Sequence, residues 1–509
     1  MGTADMLPVC LIRKILCYLS YREASRMRIL SKTWLLAWLD LPNLEFSGKS
    51  IAIVDNIMER YRDGNIPIDK FEFDNSKKPD RISGLIDKWL GIALQNGVRH
   101  LVYRDVTHSK IYPFPIFKFL EANYLGELVL MGCDLMHVSL SSTSHVVTCH
   151  SLRKLSLSRV RLDKNMLQTI LSSCPFIVDL IIRNCSRLKN VELRNLPKIK
   201  SLAIDIDHPV RIDAPTLEHL YYSSFCLNKL SIDKYKNLKS LEISCTKISD
   251  MYLNRLIFRP YCLEKLVLAN ISLGRFNICR CRSLKVLKIH NCKNIGEIYA
   301  PNLVLLEYKG DDIPELEFAL ESRQLKQSQM ILYPLFNVDA AWFCQLRQSL
   351  SDSISWSQVT IYFHKYEEIN MNYLHMQYFR DAIPKVDVLD VNFLRPTGEC
   401  LTFVDALLWS CRPKKLNLQS TSEMFICFMD CLMHMKSLRR ALIHDISCLM
   451  HMKSLRRALS HQKRGQLKEL KAYKFDQRNQ SWHPVEHKRE ELSIRTVSTL
   501  EKYFFLLDW

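Results

Sequence analysis

The sequence predicts an α/β protein in which a short bundle of three N-terminal helices precedes an irregular solenoid of parallel strands joined by helical or irregular returns. Two patterns and one scarcity carry this. Apolar residues recur at three- and four-residue spacing through the first forty positions. From Ile68 onward an apolar-x-x-apolar-x-apolar template returns at intervals too short for independent domains. Only 13 glycines and 18 prolines occur in 509 residues, which argues against glycine-rich nucleotide loops and proline-rich linkers.

Leu7-Pro8 opens the first helix, because a proline in the first turn lacks only an N–H that would have had no partner. Ile12, Ile15, Leu16 and Leu19 form its apolar face. Ser20-Tyr21-Arg22-Glu23 has the form of a capping box and starts a second helix carrying Ala24, Met27 and Leu30. Ser31 caps a third, with Trp34 and Trp38 one turn apart, and Leu41-Pro42 stops it. Three helices of this size bury too little surface to stand alone, so their apolar faces are expected to finish their burial elsewhere.

The clearest template copies begin at Val98, Leu125, Leu152, Ile177, Ile199, Leu217, Leu238, Leu263, Leu284 and Leu303. Ile68, Trp356, Val386 and Pro413 open further ones. Successive starts in the main run lie 18 to 27 residues apart, the length of a leucine-rich coil. Each copy reads as a strand whose apolar positions stack inward on the next coil while the intervening residues face outward on a concave sheet. Asp163, Ile82–Leu94, Met251–Ile257 and Phe403–Leu408 mark helical returns. Two copies, at Leu188 and Leu227, fall only ten or eleven residues from a neighbour and read as strands on the convex side. Cys133, Cys185 and Cys292 each follow a strand by the same spacing and read as buried core thiols.

Residues at outward positions include Lys154, Ser156, Arg183, Glu192, Asp205, His219, Tyr221, Glu242, Lys265, Lys288, His290 and Glu307. Their signs are mixed, unlike the coherent basic stripe of a nucleic-acid groove, so protein recognition is the expectation. The candidate target-binding residues are Arg183, His219, Tyr221, Glu242, Lys265, Lys288 and His290, with Tyr221 and the neighbouring Tyr222 as anchors.

Beyond Leu418 the template weakens. Cys431–Leu442 and Cys448–Leu459 are identical twelve-residue copies, each able to form a basic amphipathic helix. Of the +18 net charge, half lies between Lys436 and Lys474, where eleven Lys or Arg face Asp445 and Glu469 alone. The copies read as solvated or inserted segments with no coil waiting for them.

The N-terminal run Leu7-Pro8, Ile15-Leu16, Leu19-Ser20, Glu23-Ala24, Leu30-Ser31-Lys32, Trp34, Trp38 and Leu41-Pro42-Asn43-Leu44 closely resembles the F-box of plant F-box/leucine-rich-repeat proteins. Val9-Cys10 departs from the acidic or polar pair usual there. The stretches Leu467–Tyr473, Ser481–Pro484 and Tyr503–Trp509 resemble the closing segment, often termed FBD, of some of these proteins. The resemblance implies an F-box over 1–46, a leucine-rich-repeat solenoid over 47–420, a basic insertion with the duplication over 421–466 and a closing segment over 467–509. It further implies a substrate-recognition subunit of a cullin ubiquitin ligase of the SCF type. Leu7, Pro8, Ile12, Ile15, Leu19, Leu30 and Trp34 would contact or frame a Skp-type adaptor, and through it a cullin and a RING protein. The repeats would hold an unknown protein target.

No P-loop, GxGxxG, HExxH or GxSxG is present, and no C-x-x-C pair. The expectation is therefore a non-catalytic receptor without cofactor or metal. No membrane partner is expected, and dispersed cysteines without a secretion signal point to cytoplasm or nucleus. Two rival readings remain at this level: an adaptor-independent repeat scaffold, and a nucleic-acid-associated protein that uses the basic stretch from Lys436 to Lys474.

Overall fold

A computed structural model describes residues 7–47, 51–75, 83–106, 111–136, 148–194, 196–226, 229–233, 235–278, 281–318, 325–335, 337–351, 356–364, 368–376, 382–395, 400–446, 467–477, 479–485 and 500–509. The chain divides into two compact units, Met1–Cys245 with Arg259–Tyr261, and Thr246–Phe258 with Cys262–Trp509.

The first unit opens with helices α1 (Val9–Tyr18), α2 (Tyr21–Met27) and α3 (Lys32–Leu39). The capping box is present: the Glu23 N–H donates to Ser20 Oγ at 3.3 Å and the Ser20 N–H to Glu23 Oε2 at 3.0 Å. Ser31 Oγ accepts from the Trp34 N–H at 3.4 Å. Ile12, Leu16, Tyr21, Ala24, Trp34 and Ala37 close a small internal core.

This bundle does not end at residue 46. Asn43–Ser47 is already a strand, paired in parallel with Lys70–Asp74. Tyr21 meets Phe46 edge-on, with ring centroids 6.1 Å apart, and Phe46 meets Phe71 at 6.0 Å. The sequence boundary therefore falls inside the first strand of the sheet, because Leu41, Leu44 and Phe46 are a template copy hidden under the Leu-Pro-Asn-Leu exit. Helix α4 (Ile51–Asp63), which the sequence pattern does not announce, buries Val54, Met58 and Tyr61. The hydroxyl of Tyr61 donates to the Leu41 carbonyl at 2.7 Å and ties the bundle to the coil.

Helices α5 (Ser83–Gln95), α6 (Ile116–Leu120) and α7 (Lys164–Ser173) are returns, the last capped by Asp163, which accepts from the Met166 N–H at 2.8 Å. Strands Lys70–Asp74, His100–Arg104, Glu127–Met131, Lys154–Ser158, Asp179–Arg183, Ser201–Asp205 and His219–Cys226 continue the sheet in parallel register. One inward row runs Leu44, Phe71, Leu101, Leu128, Leu155, Leu180, Leu202, Leu220, and all of it is buried. The convex-side strands exist as a separate three-stranded sheet of Val191–Leu193, Val210–Ile212 and Leu230–Ile232. Glu192 belongs to this second sheet, so its placement among the outward residues of the main sheet is corrected.

A backbone device explains the cysteine spacing. Gly132, Asn184 and Asn291 each follow a strand directly and each has positive φ (73°, 50° and 50°). Asn and Gly tolerate that left-handed bend, and the next residue is then turned into the core. Those next residues are Cys133, Cys185 and Cys292, all buried. At Gly132 a Cβ would lie 1.7 Å from the Asp105 carbonyl oxygen. Burial raises the three thiols, Cys185 and Cys292 to about 11.

The second unit contains α8 (Asp250–Phe258), α9 (Ala340–Ser351), α10 (Met371–Met376), α11 (Leu401–Ser410) and α12 (Ser422–Ile446). Among its parallel strands are Lys265–Ala269, Val286–His290, Leu305–Gly310, Gln327–Leu332, Gln358–Phe363, Lys385–Phe393 and Arg412–Ser420. The strand Gln327–Leu332 and helix α9 have no counterpart in the sequence pattern, because Lys326-Gln327-Ser328 breaks the template. The sheet then reverses. Glu501–Asp508 pairs antiparallel with Arg412–Ser420, Glu469–Asp476 with Glu501–Asp508, and Ser481–Pro484 with Glu469–Asp476.

Helix α12 corrects the account of the duplicated block. Residues 421–466 are expected from the sequence to be a basic insertion, yet Met424, Phe425, Cys427, Phe428, Met429, Cys431 and Leu432 are buried. Phe425 stacks on Tyr503 at 4.2 Å and on Phe505 at 5.4 Å. The first copy thus begins inside a packed helix: its apolar residues extend the face that Met424, Phe425 and Phe428 set up. The second copy, Cys448–Leu459, lies outside the described residues.

Phe425→Ala should cost about 3–5 kcal/mol in urea unfolding of the full chain, as for other buried aromatic truncations. Lys436→Ala, on the same helix but not buried, should change it by less than about 0.5 kcal/mol. Equal small effects would show that α12 does not seal the core. Cys133, Cys185 and Cys292 should react with a thiol reagent only on unfolding; modification of any of them at native rates equal to an exposed thiol contradicts their burial.

Candidate interaction surfaces

The helical bundle sorts its apolar residues into two sets. Ile12 and Trp34, expected at an adaptor interface, are 0% and 5% exposed and belong to the bundle's own core, so they frame a surface without lining it. Leu7, Pro8, Ile15 and Leu30 are exposed and Leu19 is half-buried. Residues that spacing does not single out are more open still: Tyr18 and Ile29 are 82% and 83% exposed and Leu36 is 59% exposed, with Leu11 and Leu35 also open. Large apolar side chains standing exposed on and between the three helices are of the kind that marks an interaction site. The bundle is tied to α4 by Arg60, whose guanidinium donates to the Leu39 carbonyl at 2.6 Å, and is braced internally by the Arg13–Asp40 pair at 3.3 Å.

On the first unit's sheet, outward positions form register rows. The central row runs Glu72, Val102, Val129, Ser156, Ile181, Ala203, Tyr221. Within it Val102 and Ser156 are buried, and Val129, Ile181, Ala203 and Tyr221 are half-buried. This partly open apolar stretch is not legible in the sequence because Leu-Val-Leu and Leu-Ile-Ile runs look like continuous core, and only the register shows which middle residue faces out. Charged rows flank it: Glu127 pairs with Lys154 at 2.6 Å and with His100 at 3.3 Å, while Glu72, at the start of the central row, pairs with Lys70 at 2.8 Å and with Arg104 from the rows on either side. Arg183 lies over the Tyr221 ring at 5.4 Å, so two of the expected residues do meet. His219 is exposed in a flanking row and Glu242 is half-buried on Ser240–Lys247. Tyr222 is fully buried and is no anchor: it alternates with Tyr221, and alternation sends it inward.

The second unit's outward face is polar. Glu307 accepts from Lys288 at 2.6 Å and pairs with His290 at 2.7 Å, bringing two more expected residues together. Lys265 stands half-buried on its own strand. Asp390 gathers Gln358 (2.6 Å), Thr360 (3.0 Å) and Asn417 (2.5 Å). Tyr333 stacks on Tyr362 with centroids 4.6 Å apart, and Lys309 caps the stack at 5.3 Å. Among the described residues no group of three His, Cys, Asp or Glu is arranged to hold a metal, and no helix is long and apolar enough to cross a membrane.

Burial alone would raise the Glu307 carboxyl, but its bonds to Lys288 and His290 outweigh this and hold it below the ordinary carboxylate range. A carboxylate held low contributes stability that is complete above its unfolded pKa, about 4.3, and is lost as the pH falls through the folded value. The melting temperature of the wild type should therefore drop more than that of Glu307→Gln between about pH 6 and about pH 3. Parallel curves would mean the cluster adds nothing to the folded state.

A family profile described as At1g61320/AtMIF1, LRR domain, matches residues 57–248, most of the first unit. In Arabidopsis thaliana the chain is similar to the F-box/FBD/LRR-repeat protein At5g44950, at 26% identity over 46% of this chain and 55% of that one. It is also similar to the F-box/LRR-repeat protein At3g03360, at 27% over 39% of this chain and 42% of that one. The match to the F-box protein At5g03100 is 24% identical and covers 60% of this chain and 93% of that one. The chain spans about half the length of the first two. By the repeat-domain match and these relatives the chain is similar to plant F-box/leucine-rich-repeat proteins.

Proposed function

We propose that this chain is the substrate-recognition subunit of an SCF-type ubiquitin ligase, with α1–α3 docking a Skp-type adaptor and the repeats holding a protein target. The observation that carries the reading is the separation within the bundle: an internal core of Ile12, Leu16 and Trp34, and a second apolar set, among the described residues, that stands exposed. Such a set lowers solubility unless a partner covers it. The subunit does no chemistry in this reading. It raises the effective concentration of a target near a loaded ubiquitin-conjugating enzyme. The half-buried stretch of Val129, Ile181, Ala203 and Tyr221 is where we place an apolar segment of the target, with Arg183 and the flanking charges fixing its orientation.

The test uses the full chain, because Tyr21 and Phe46 pack against the sheet and the first 46 residues are not a separable piece. Ile29→Asp with Leu36→Asp should reduce capture of a Skp-type adaptor at least tenfold while leaving the melting temperature within a degree or two, since both residues are exposed. Trp34→Ala should lose capture together with stability, by about 3–5 kcal/mol. Absence of capture by the wild type would favour an adaptor-independent scaffold. Wild-type capture by the Ile29/Leu36 double variant would move the docking surface elsewhere.

A further inference from the structure

A cleft of about 370 Å³ opens at the last strands of the second unit. Its walls carry Lys385, Arg412, Lys414, Lys415 and Lys471 against two carboxylates, Glu469 and Asp508. The register accounts for the crowding. Lys385 and Arg412 are cross-strand partners, and Lys415 and Lys471 flank Leu506 from either side. The reversal of the sheet thus brings cations from separate parts of the chain onto one face.

The charges inside the cleft do not balance one another. Glu469 is engaged by Lys471 at 3.3 Å, Asp508 lies 3.8 Å from Lys468, and Lys414 is bonded to Asp387 at 2.7 Å. Lys385, Arg412 and Lys415 have no carboxylate within ion-pair distance among the described residues. Arg412 is half-buried. Its guanidinium lies 5.2 Å over the Trp509 ring, whose indole N–H donates to the Pro413 carbonyl at 2.7 Å, and its Nε has no hydrogen-bond partner. Burial, and after it the guanidinium of Arg347, pull the pKa of Arg412 down to about 10. A desolvated cation near a second cation costs stability unless an anion compensates it.

We propose that this cleft binds a phosphate-bearing anion, with Arg412 presenting its guanidinium in the fork geometry suited to phosphate oxygens and Lys385 and Lys415 supplying charge. The aromatic plate of Trp509 and the bond that fixes it hold the guanidinium in place before the ligand arrives, which lowers the cost of ordering it.

The test is calorimetric titration of the full chain with sodium pyrophosphate, and in parallel with a short phosphoserine peptide, against sodium chloride at matched ionic strength. Both are repeated on Lys385→Gln with Lys415→Gln. Wild type should bind at least one of the two phosphate probes saturably, and the double variant at least tenfold more weakly. The tighter probe identifies whether a free phosphate or a phosphorylated side chain is the source. Without anion, the double variant should melt at or above the wild-type temperature, because removing unpaired like charges relieves repulsion. Binding no stronger than the chloride control, equal binding by the variant, or a lower melting temperature for it would each overturn the proposal.

Discussion

Everything in this chain depends on one burial constraint: no coil of a parallel solenoid has a core until its neighbour supplies the other side. The inward row from Leu44 to Leu220 is dry only because each apolar side chain lies in register with the next. Such an array has ends, and each end exposes a core face and an unpaired strand edge. In the first unit the helical bundle covers one end: Tyr21 sits on Phe46, and Arg60 and Tyr61 bond to the carbonyls of Leu39 and Leu41. In the second unit the edge of Arg412–Ser420 is taken by the antiparallel Glu501–Asp508, and α12 lays Phe425 and Phe428 over Tyr503 and Phe505. The closing strands finish on Ser481–Pro484, a short edge whose proline offers no N–H to another chain.

Because alternate positions carry the stacking, the outward positions are released for recognition, and the two units use them differently. The first presents aliphatic side chains between charged rows, a surface that gains from being covered. The second spends its outward positions on interlocked polar groups, such as the acceptors Glu307 and Asp390 with their several donors. Half-buried charges of that kind contribute little net stability once desolvation is counted, but they hold side chains in one geometry. The basic cleft at the last strands is a third arrangement, in which Lys385, Arg412 and Lys415 have no carboxylate partner among the described residues.

The same logic separates what the helices do for themselves from what they offer. Caps at Ser20 and Ser31 satisfy the bundle's backbone, and Ile12, Leu16 and Trp34 satisfy its interior. What is left, Tyr18, Ile29, Leu36 and their neighbours, has no structural employment within the described residues of the bundle. Residues that look like the interface from spacing alone therefore divide by burial, and the most exposed of the apolar residues are ones that spacing does not select.

By itself the sequence determined the elements that rest on local chemistry. Capping side chains, proline at the first turn, and the recurrence of Leu-x-x-Leu-x-Leu name helices and strands because caps, φ restriction and alternation act over a few residues. It also placed Cys133, Cys185 and Cys292 in the core, although the left-handed Gly or Asn that turns each of them inward became visible only in the backbone. Tertiary structure decided whatever depends on partners distant in sequence. It put Asn43–Ser47 into the sheet, made α12 a core element despite the basic block it leads into, sent Tyr222 inward beside the outward Tyr221, and assembled Lys385, Arg412, Lys415 and Lys471 around one cleft. Residues as far apart in sequence as Lys385 and Trp509 meet there only because strand register, a long-range property, sets which side chains share a face.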